Sequence, residues 1–301
     1  MTTEPPSVKR KGKNVFLLDL PIQRNKSWER WFLLSGDRHW DNPHSDWGLQ
    51  ERHLKECEEK DAYVIDIGDF FCAMQGKYDP RSSKADVRPE HANDRYLDSL
   101  VSTATDFFEP YAHRFLMIAS GNHERNIQKR HETSLVDRFV NSLNGRAGSS
   151  VAHGGWGGWF RFTFHDNAFK TSVNMHYSHG YGGGGPVTKG TIQTARRSSF
   201  LPDADLLVSG HIHERWTLDV QRVRLSRHGS IYHDSQTHIC VPTYKEEFGS
   251  GGGDPSWHVE RGAPPKPLGA AWLRFHYLRT PGSASGAASR QRVAWDVTWA
   301  E

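Results

Sequence analysis

Five apolar runs in the first two thirds of the chain each end in a short segment rich in carboxylate, amide or imidazole groups. The runs are residues 31–34, 63–67, 115–119, 173–177 and 206–208, and the segments are residues 35–39, 67–69, 120–124, 177–180 and 209–213. Such runs are typical of buried strands, and an open α/β sheet has its site beyond the carboxyl ends of its strands. We therefore expect the five segments to converge on one edge.

The remaining pattern favours a β-α half followed by a β half. Apolar residues at helical spacing predict helices over residues 47–60, 93–108 and about 125–143, the last ended by Asn144-Gly145. Further strands are predicted over residues 14–20, 160–164, 216–223, 230–241, 270–278 and 293–299. Residues 76–89 and the glycine-rich residues 180–190 are predicted to be loops. This order indicates two sheets packed face to face with helices outside.

Composition sets limits on the class of protein. Residues 1–13 read as a mobile basic arm and residues 14–301 as a single domain, β-rich from about residue 216. The 38 Lys and Arg against 35 Asp and Glu are too evenly balanced to indicate nucleic acid or a membrane surface as the partner. No apolar run approaches a membrane span and no secretory signal is present, so a cytoplasmic location is expected, with the oligomeric state left open.

The cysteines do not indicate a disulfide framework or a zinc ribbon. Cys57, Cys72 and Cys240 are odd in number, widely spaced and without a Cys-x-x-Cys pair. We expect buried thiols in a reducing compartment.

The side chains at the strand ends are those of a site for two divalent cations, which needs a bridging carboxylate with other ligands on either side. Asp37 and His39 can reach one ion together if the chain turns between them, and Asp69 is the natural bridge. Asn122 and the histidines complete a set that suits Mn, Fe, Zn, Co or Ni better than Mg or Ca. A single Gly-Asp is more often a turn, so the argument depends on the whole set.

The motif order Asp-x-His, Gly-Asp, Gly-Asn-His-Glu, His-Gly and Gly-His-x-His, over about residues 31–216, resembles the calcineurin-like metallophosphoesterase superfamily. The resemblance implies an α+β fold, a four-layer α/β/β/α sandwich of two packed mixed sheets flanked by helices. It also implies a dinuclear metal centre, with Mn the most expected ion, that hydrolyses phosphate esters. Matched to the motifs, one metal would be held by Asp37, His39, Asp69 and His213, and the other by Asp69, Asn122, His179 and His211.

Two further residues of the motifs have implied roles. His123 resembles the family's non-ligand histidine, which contacts the phosphate and helps the leaving oxygen depart, and Glu124 would orient His123 or a ligand. His176 competes with His179 as a ligand. We choose His179 because Gly180 follows it and because it lies at the end of the predicted strand.

Departures from the family's protein phosphatases favour another substrate class. Those phosphatases follow Gly-Asp with Val-Asp-Arg-Gly, whereas this chain has Phe70-Phe71-Cys72-Ala73, and Trp40 stands where they carry Gly. The sequence therefore looks closer to the phosphodiesterase and repair-nuclease side of the superfamily, with a nucleotide or DNA as the expected substrate. The alternatives are a phosphomonoesterase on the same site and a catalytically idle scaffold.

Several other residues are candidates for substrate contacts. Lys189, Arg196 and Arg197 follow a glycine-rich segment and belong either to a lid that meets phosphate or to a solvated basic helix. Arg38, between two expected ligands, is expected either to support a ligand or to contact the substrate. Trp156 and Trp159 either stack on a base or pack in the core or at its rim, and packing is the expectation.

Overall fold

The computed structural model describes residues 6, 8–23, 27–75, 79, 82, 86–183, 185, 187–249, 257–260, 262–280 and 290–301. The strands of this part are β1 (Val8–Arg10), β2 (Val15–Pro21), β3 (Glu29–Ser35), β4 (Tyr63–Asp66), β5 (Phe115–Ile118), β6 (Ala152–His153), β7 (Gly157–His165), β8 (Lys170–Ser178), β9 (Leu206–Ser209), β10 (Trp216–Leu225), β11 (Ile231–Cys240), β12 (Ala270–Thr280) and β13 (Arg290–Ala300). Its helices are α1 (Trp47–Glu59), α2 (Tyr96–Phe108), α3 (Asn122–His131), α4 (Leu135–Ala147), α5 (Thr191–Phe200) and α6 (Trp257–Glu260).

The strands form two mixed sheets. Sheet I has the order β1-β2-β7-β8-β9-β11-β10, and sheet II has the order β13-β12-β3-β4-β5-β6. In sheet II, β3 pairs with β4 in parallel and with β12 antiparallel; in sheet I, β8 pairs with β9 in parallel and with β7 antiparallel. The predicted α+β class, two packed mixed sheets flanked by helices, is confirmed.

Strand alternation divides the apolar residues between two cores. In β3, Phe32 and Leu34 face the core between the two sheets, whereas Leu33 faces the core between sheet II and the helices α1, α2 and α4. Phe162 of sheet I meets Phe32 across the inner core, with ring centroids 5.0 Å apart. The central strands β3, β4 and β5 of sheet II are therefore buried on both faces over most of their length, which explains why they are apolar runs.

The outer face of sheet I is covered less completely. Helix α5 lies on it, with Ser198 Oγ 3.1 Å from Nε2 of His238 on β11. Over β2, β7 and β8 the face carries an open groove of about 730 Å³ lined by residues such as Leu17, Arg161 and Ser172. Among the described residues, helices thus cover the outer face of sheet II more completely than that of sheet I.

The single helix predicted over about 125–143 is wrong, because the chain forms α3 and α4 there. Glu132 ends α3 with a left-handed φ of 52°, and the Ser134 side chain begins α4 by accepting a hydrogen bond from the N–H of Asp137. Helix α4 also continues past Asn144-Gly145 and ends at Gly148, where φ is 64°.

The prediction of a mobile arm over residues 1–13 is wrong for Val8–Arg10, which pairs with β2 as an antiparallel edge strand. The backbone of this segment pairs with that of β2, and its amino-acid composition does not indicate this pairing. Helix α2 begins at Tyr96, three residues later than predicted. The predicted loop 76–89 falls largely outside the described residues, and the domain limits remain a prediction.

The cysteines and the lengths of the described helices bear on two further expectations. Cys57, Cys72 and Cys240 are free and buried, as predicted. None of the described helices combines the length and the apolar character needed to cross a bilayer.

Candidate metal centre

The strand-end segments bring two groups of donor atoms together. One ligand atom each from Asp37, His39 and His213 lies within 4.8 Å of the others, and the same holds for Asp69, His179 and His211. The segments follow β3, β4 and β5 of sheet II and β8 and β9 of sheet I. The site therefore lies where the carboxyl ends of strands from the two sheets meet.

Glycines allow these segments to approach one another. A Cβ at Gly121 would overlap the Asp69 carboxylate, and a Cβ at Gly210 would overlap that of Asp37. A Cβ at Gly68, where φ is 109°, would lie 2.6 Å from the backbone nitrogen of Gly121. The glycines of the motifs thus allow the backbone to lie directly against the carboxylates of Asp69 and Asp37. They also allow the chain to turn at these positions.

Five of the candidate ligands have left-handed backbone angles. The φ values of Asp37, His39, Asp69, His211 and His213 are 49°, 45°, 51°, 72° and 53°. Non-glycine residues in this region are uncommon, and such strain clusters at functional sites. The chain turns out of the strand between Asp37 and His39, as the metal-site hypothesis required.

In the first group, two ring nitrogens and a carboxylate oxygen lie close together. His39 Nε2 lies 3.2 Å from His213 Nε2. Asp37 Oδ1 is buried, and no described donor reaches it in hydrogen-bond geometry, although His213 Nε2 is 3.3 Å away. Buried polar atoms are nearly always paired, so this arrangement fits a cation among the three side chains.

In the second group, His179 is the central residue. Its Nε2 lies 3.1 Å from Asp69 Oδ2 and 3.1 Å from Asn122 Oδ1, and its side chain is fully buried. His176 lies elsewhere, with its ring 5.0 Å from that of Trp159. The structure thus brings His179, and not His176, to the expected ligands.

The carboxylates of both groups favour positive charge on the neighbouring imidazoles. Burial lowers the pKa of His179, but Asp69, Asp37 and Glu124 together raise it to about 9. Burial likewise lowers the pKa of His213, and Asp37 and Glu247 raise it to about 10. Both carboxylates therefore attract positive charge, and a metal ion would displace these protons on binding.

His123 lies beside the two groups and is held by the backbone. Its Nδ1–H donates a hydrogen bond to the carbonyl oxygen of Cys72 over 2.6 Å. Its Nε2 therefore faces the candidate metal centre and lies 3.8 Å from Asp69 Oδ2. The Asp41 carboxylate in turn accepts hydrogen bonds from the N–H groups of Cys72 and Ala73. This contact fixes the loop that orients the His123 ring.

Glu124 and Arg38 are both buried, and their side chains bind other groups of the protein. Glu124 accepts hydrogen bonds from the N–H groups of Phe71 and Gly121, both at 2.8 Å, and so ties two ligand-bearing loops together. Burial and the Asp69 charge raise the pKa of Glu124 to about 8. Arg38 is fully buried and pairs with Asp66 at 2.7 Å. Its side chain is therefore not accessible to a substrate, and the alternative role of supporting a ligand stays a prediction.

The other residues predicted to contact the substrate lie at the edge of the candidate metal centre or farther away. The ring of Trp156 is 5.4 Å from that of His179. Lys189 is exposed and 3.9 Å from Glu214, Arg196 is exposed on α5, and the buried Arg197 lies over the Tyr181 ring at 5.2 Å. A lid role for this segment stays a prediction.

Sequence reasoning missed the contribution of the segment after β11. Asp37, through its backbone carbonyl, accepts hydrogen bonds from Thr243 Oγ1 at 2.8 Å and from the N–H of Tyr244 at 3.1 Å. Glu247 lies 3.4 Å from His213 Nδ1 and 3.2 Å from the Lys245 ammonium. No motif marks these residues, and only the pairing of distant loops brings them to the centre.

Comparison with known proteins adds little to this geometry. No protein-family model and no curated protein matches the sequence. Similar solved structures include GAP50, the anchor in the inner membrane complex of Plasmodium, with 10% identity over 87% of this chain and 88% of that chain and a TM-score of 0.42. Vps29 from Entamoeba histolytica in complex with Zn²⁺ has 10% identity over 90% and 99%, with a TM-score of 0.31. A predicted phosphoesterase from Streptococcus pneumoniae has 9% identity over 89% and 99%, with a TM-score of 0.29. At these scores none of them supports a conclusion about this chain.

Proposed function

We propose that this protein is a phosphoesterase of the calcineurin-like metallophosphoesterase superfamily that depends on a dinuclear metal centre. The observation that carries the proposal is the pair of adjacent donor groups, Asp37 with His39 and His213, and Asp69 with His179 and His211. The two groups contain six of the seven expected ligands, and the seventh, Asn122, lies beside the second group with Oδ1 3.1 Å from His179 Nε2. This complete set argues against a catalytically idle scaffold.

The ligands are assigned as follows from the motifs and the contacts. The first ion would be held by Asp37, His39, Asp69 and His213, and the second by Asp69, Asn122, His179 and His211. The mixture of carboxylate, amide and imidazole favours Mn, with Fe, Zn, Co and Ni as alternatives. The bridge is assigned to Asp69 from the motif order; its Oδ2 faces His179 of the second group, and its Oδ1 accepts the His123 N–H at 2.9 Å.

When bound, two such ions polarise the phosphoryl oxygens and lower the pKa of the attacking water toward neutrality. Asp69 and Asp37 neutralise part of the positive charge and hold the imidazole ligands in place. His123 donates its Nδ1 proton in a hydrogen bond to the Cys72 carbonyl and presents Nε2 to the leaving group. In its doubly protonated form it gives the Nε2 proton to the departing oxygen and becomes the neutral ring, which keeps the Nδ1 proton.

We favour a phosphodiester as the substrate, on a nucleotide or a nucleic acid. Phe70 and Phe71, which follow Asp69, are completely buried in the core between sheet II and the helices α1, α2 and α4. They offer no positive charge to a phosphate. A diester carries one negative charge where a monoester carries up to two, so it depends less on an additional clamp.

The test is turnover by metal-stripped protein to which Mn is restored. We expect bis(p-nitrophenyl) phosphate to be hydrolysed faster than p-nitrophenyl phosphate, and the Asp69→Asn variant to lose bound metal and turnover together. Preference for the monoester would make the protein a phosphatase. Two tightly bound ions with no turnover of either ester, or of nucleotide diesters and DNA ends, would contradict the proposal.

A further inference from the structure

The segment after β11 places a carboxylate behind one of the candidate ligands. Glu247 Oε2 lies 3.4 Å from Nδ1 of His213, on the side of the ring away from Asp37. Glu247 Oε1 lies 3.2 Å from the ammonium of Lys245. The side chains of Glu247 and Lys245 are only 12% and 19% exposed, so this pair is largely shielded from water.

A neutral histidine offers one ring nitrogen to a metal ion, and the position of its single N–H proton decides which nitrogen that is. A carboxylate beyond Nδ1 keeps the proton there, leaves Nε2 free as the ligand atom and fixes the rotation of the ring. His213 has this arrangement, since Nε2 lies 3.2 Å from His39 Nε2 and 3.3 Å from Asp37 Oδ1. The Nδ1 atom of His39, by contrast, is buried without a described hydrogen-bond partner.

We propose that Glu247 is a positioning residue for the first metal site, which it serves by holding His213, and that Lys245 holds the Glu247 carboxylate. The proposal rests on the dinuclear centre proposed above and does not depend on the substrate. It assigns a role in the metal centre to the part of the chain that carries no family motif.

Lys245 makes the position of Glu247 specific. A shielded carboxylate is costly unless it is paired, and the ammonium satisfies one oxygen while the other faces His213. The backbone of Lys245 is fixed by its bridge to Ser45 and by the preceding Tyr244, whose N–H donates to the carbonyl of Asp37. The pair is therefore anchored to the same loop that presents Asp37.

The experiment is a calorimetric Mn titration of metal-stripped full-length protein. We expect Glu247→Ala to weaken one of the two sites about 10- to 100-fold, the usual effect of removing the partner of a metal-bound histidine, and to leave the other site unchanged. Glu247→Gln retains an acceptor for the Nδ1 proton and should lose less. Lys245→Met should also weaken that one site, because the carboxylate is no longer held.

The matched control is Glu246→Gln, the same change one residue away, in a side chain that accepts the N–H of Phe248. It should bind both ions with unchanged affinity. Equal weakening of both sites by Glu247→Ala, or two sites of wild-type affinity, would overturn the inference. His213→Ala separates the two proposals: if it retains both ions, the metal centre itself is misassigned, and if it loses one while Glu247→Ala loses none, only the role of Glu247 fails.

Discussion

Each of the two carboxylates at the centre has one oxygen fixed by the protein and one directed at the imidazoles. Asp37 Oδ2 accepts the N–H of His211 at 2.7 Å, while Oδ1 faces His213. Asp69 Oδ1 accepts the N–H of His123, while Oδ2 faces His179. The backbone of one motif thus orients the carboxylate of another, so the ligand geometry is set before an ion binds.

The separate role of His123 leads to a prediction at the scale of one residue. His123→Asn should keep both ions and the fold but lower turnover by about 10² to 10⁴, the usual contribution of a general acid. The physical reason is that Nε2 faces the centre, while the seven residues assigned as ligands do not include His123. Metal content and steady-state turnover of the purified variant are the measurements. His113→Asn, on the exposed surface, is the matched control, and loss of an ion from His123→Asn would contradict the assignment.

Among the elements, the strands and the residues at their ends could be predicted because both come from local pattern. An apolar run followed by Gly and a polar residue marks a buried strand and its exit. The break between α3 and α4 could not be predicted, since Glu132 adopts a left-handed conformation without Gly or Pro nearby. Glu247 escaped prediction for another reason, because its partner His213 is brought to it only by tertiary packing.

The close contact of α3 with the loop after β4 gives a prediction at the scale of elements. Gly121→Ala should abolish high-affinity metal binding, because the new methyl group would overlap the Asp69 carboxylate. Gly145→Ala in α4 is the matched control: its Cβ would meet nothing within 4 Å, and helix propensity favours Ala by about 1 kcal/mol. Mn titration and urea unfolding of both variants are the measurements. Normal metal affinity in Gly121→Ala would show that the loops can separate without cost to the site.

At the scale of the whole molecule, buried neutral histidines couple stability to pH. His53 on α1 is fully buried with Nδ1 3.0 Å from the Tyr244 hydroxyl, and burial lowers its pKa to about 4. The folded state therefore binds the proton less readily than the unfolded chain, whose histidine pKa is about 6.5. Its contribution to stability is complete above about pH 6.5 and is lost as the pH falls toward 4.

This coupling predicts a difference between wild type and His53→Gln. Between pH 7 and pH 5 the wild-type free energy of unfolding should fall by about 2 kcal/mol more than that of the variant. Urea unfolding of metal-stripped protein at the two pH values measures it. His113→Gln, a change on the exposed surface, should leave the wild-type pH dependence intact. Equal pH dependence in wild type and His53→Gln would show that His53 does not titrate in this range.

The position of β12 in sheet II has a consequence for synthesis on the ribosome. β12 separates β3 from β13, with Ala271 beside Leu34, although it follows β3 by roughly 230 residues, which take on the order of ten to fifty seconds to translate. Until β12 has been made, one side of β3 lacks the strand that pairs with its N–H and C=O groups in the finished fold. Glu29 and Arg30, at the start of this strand, are charged residues of the kind that disfavours edge-to-edge pairing with other chains.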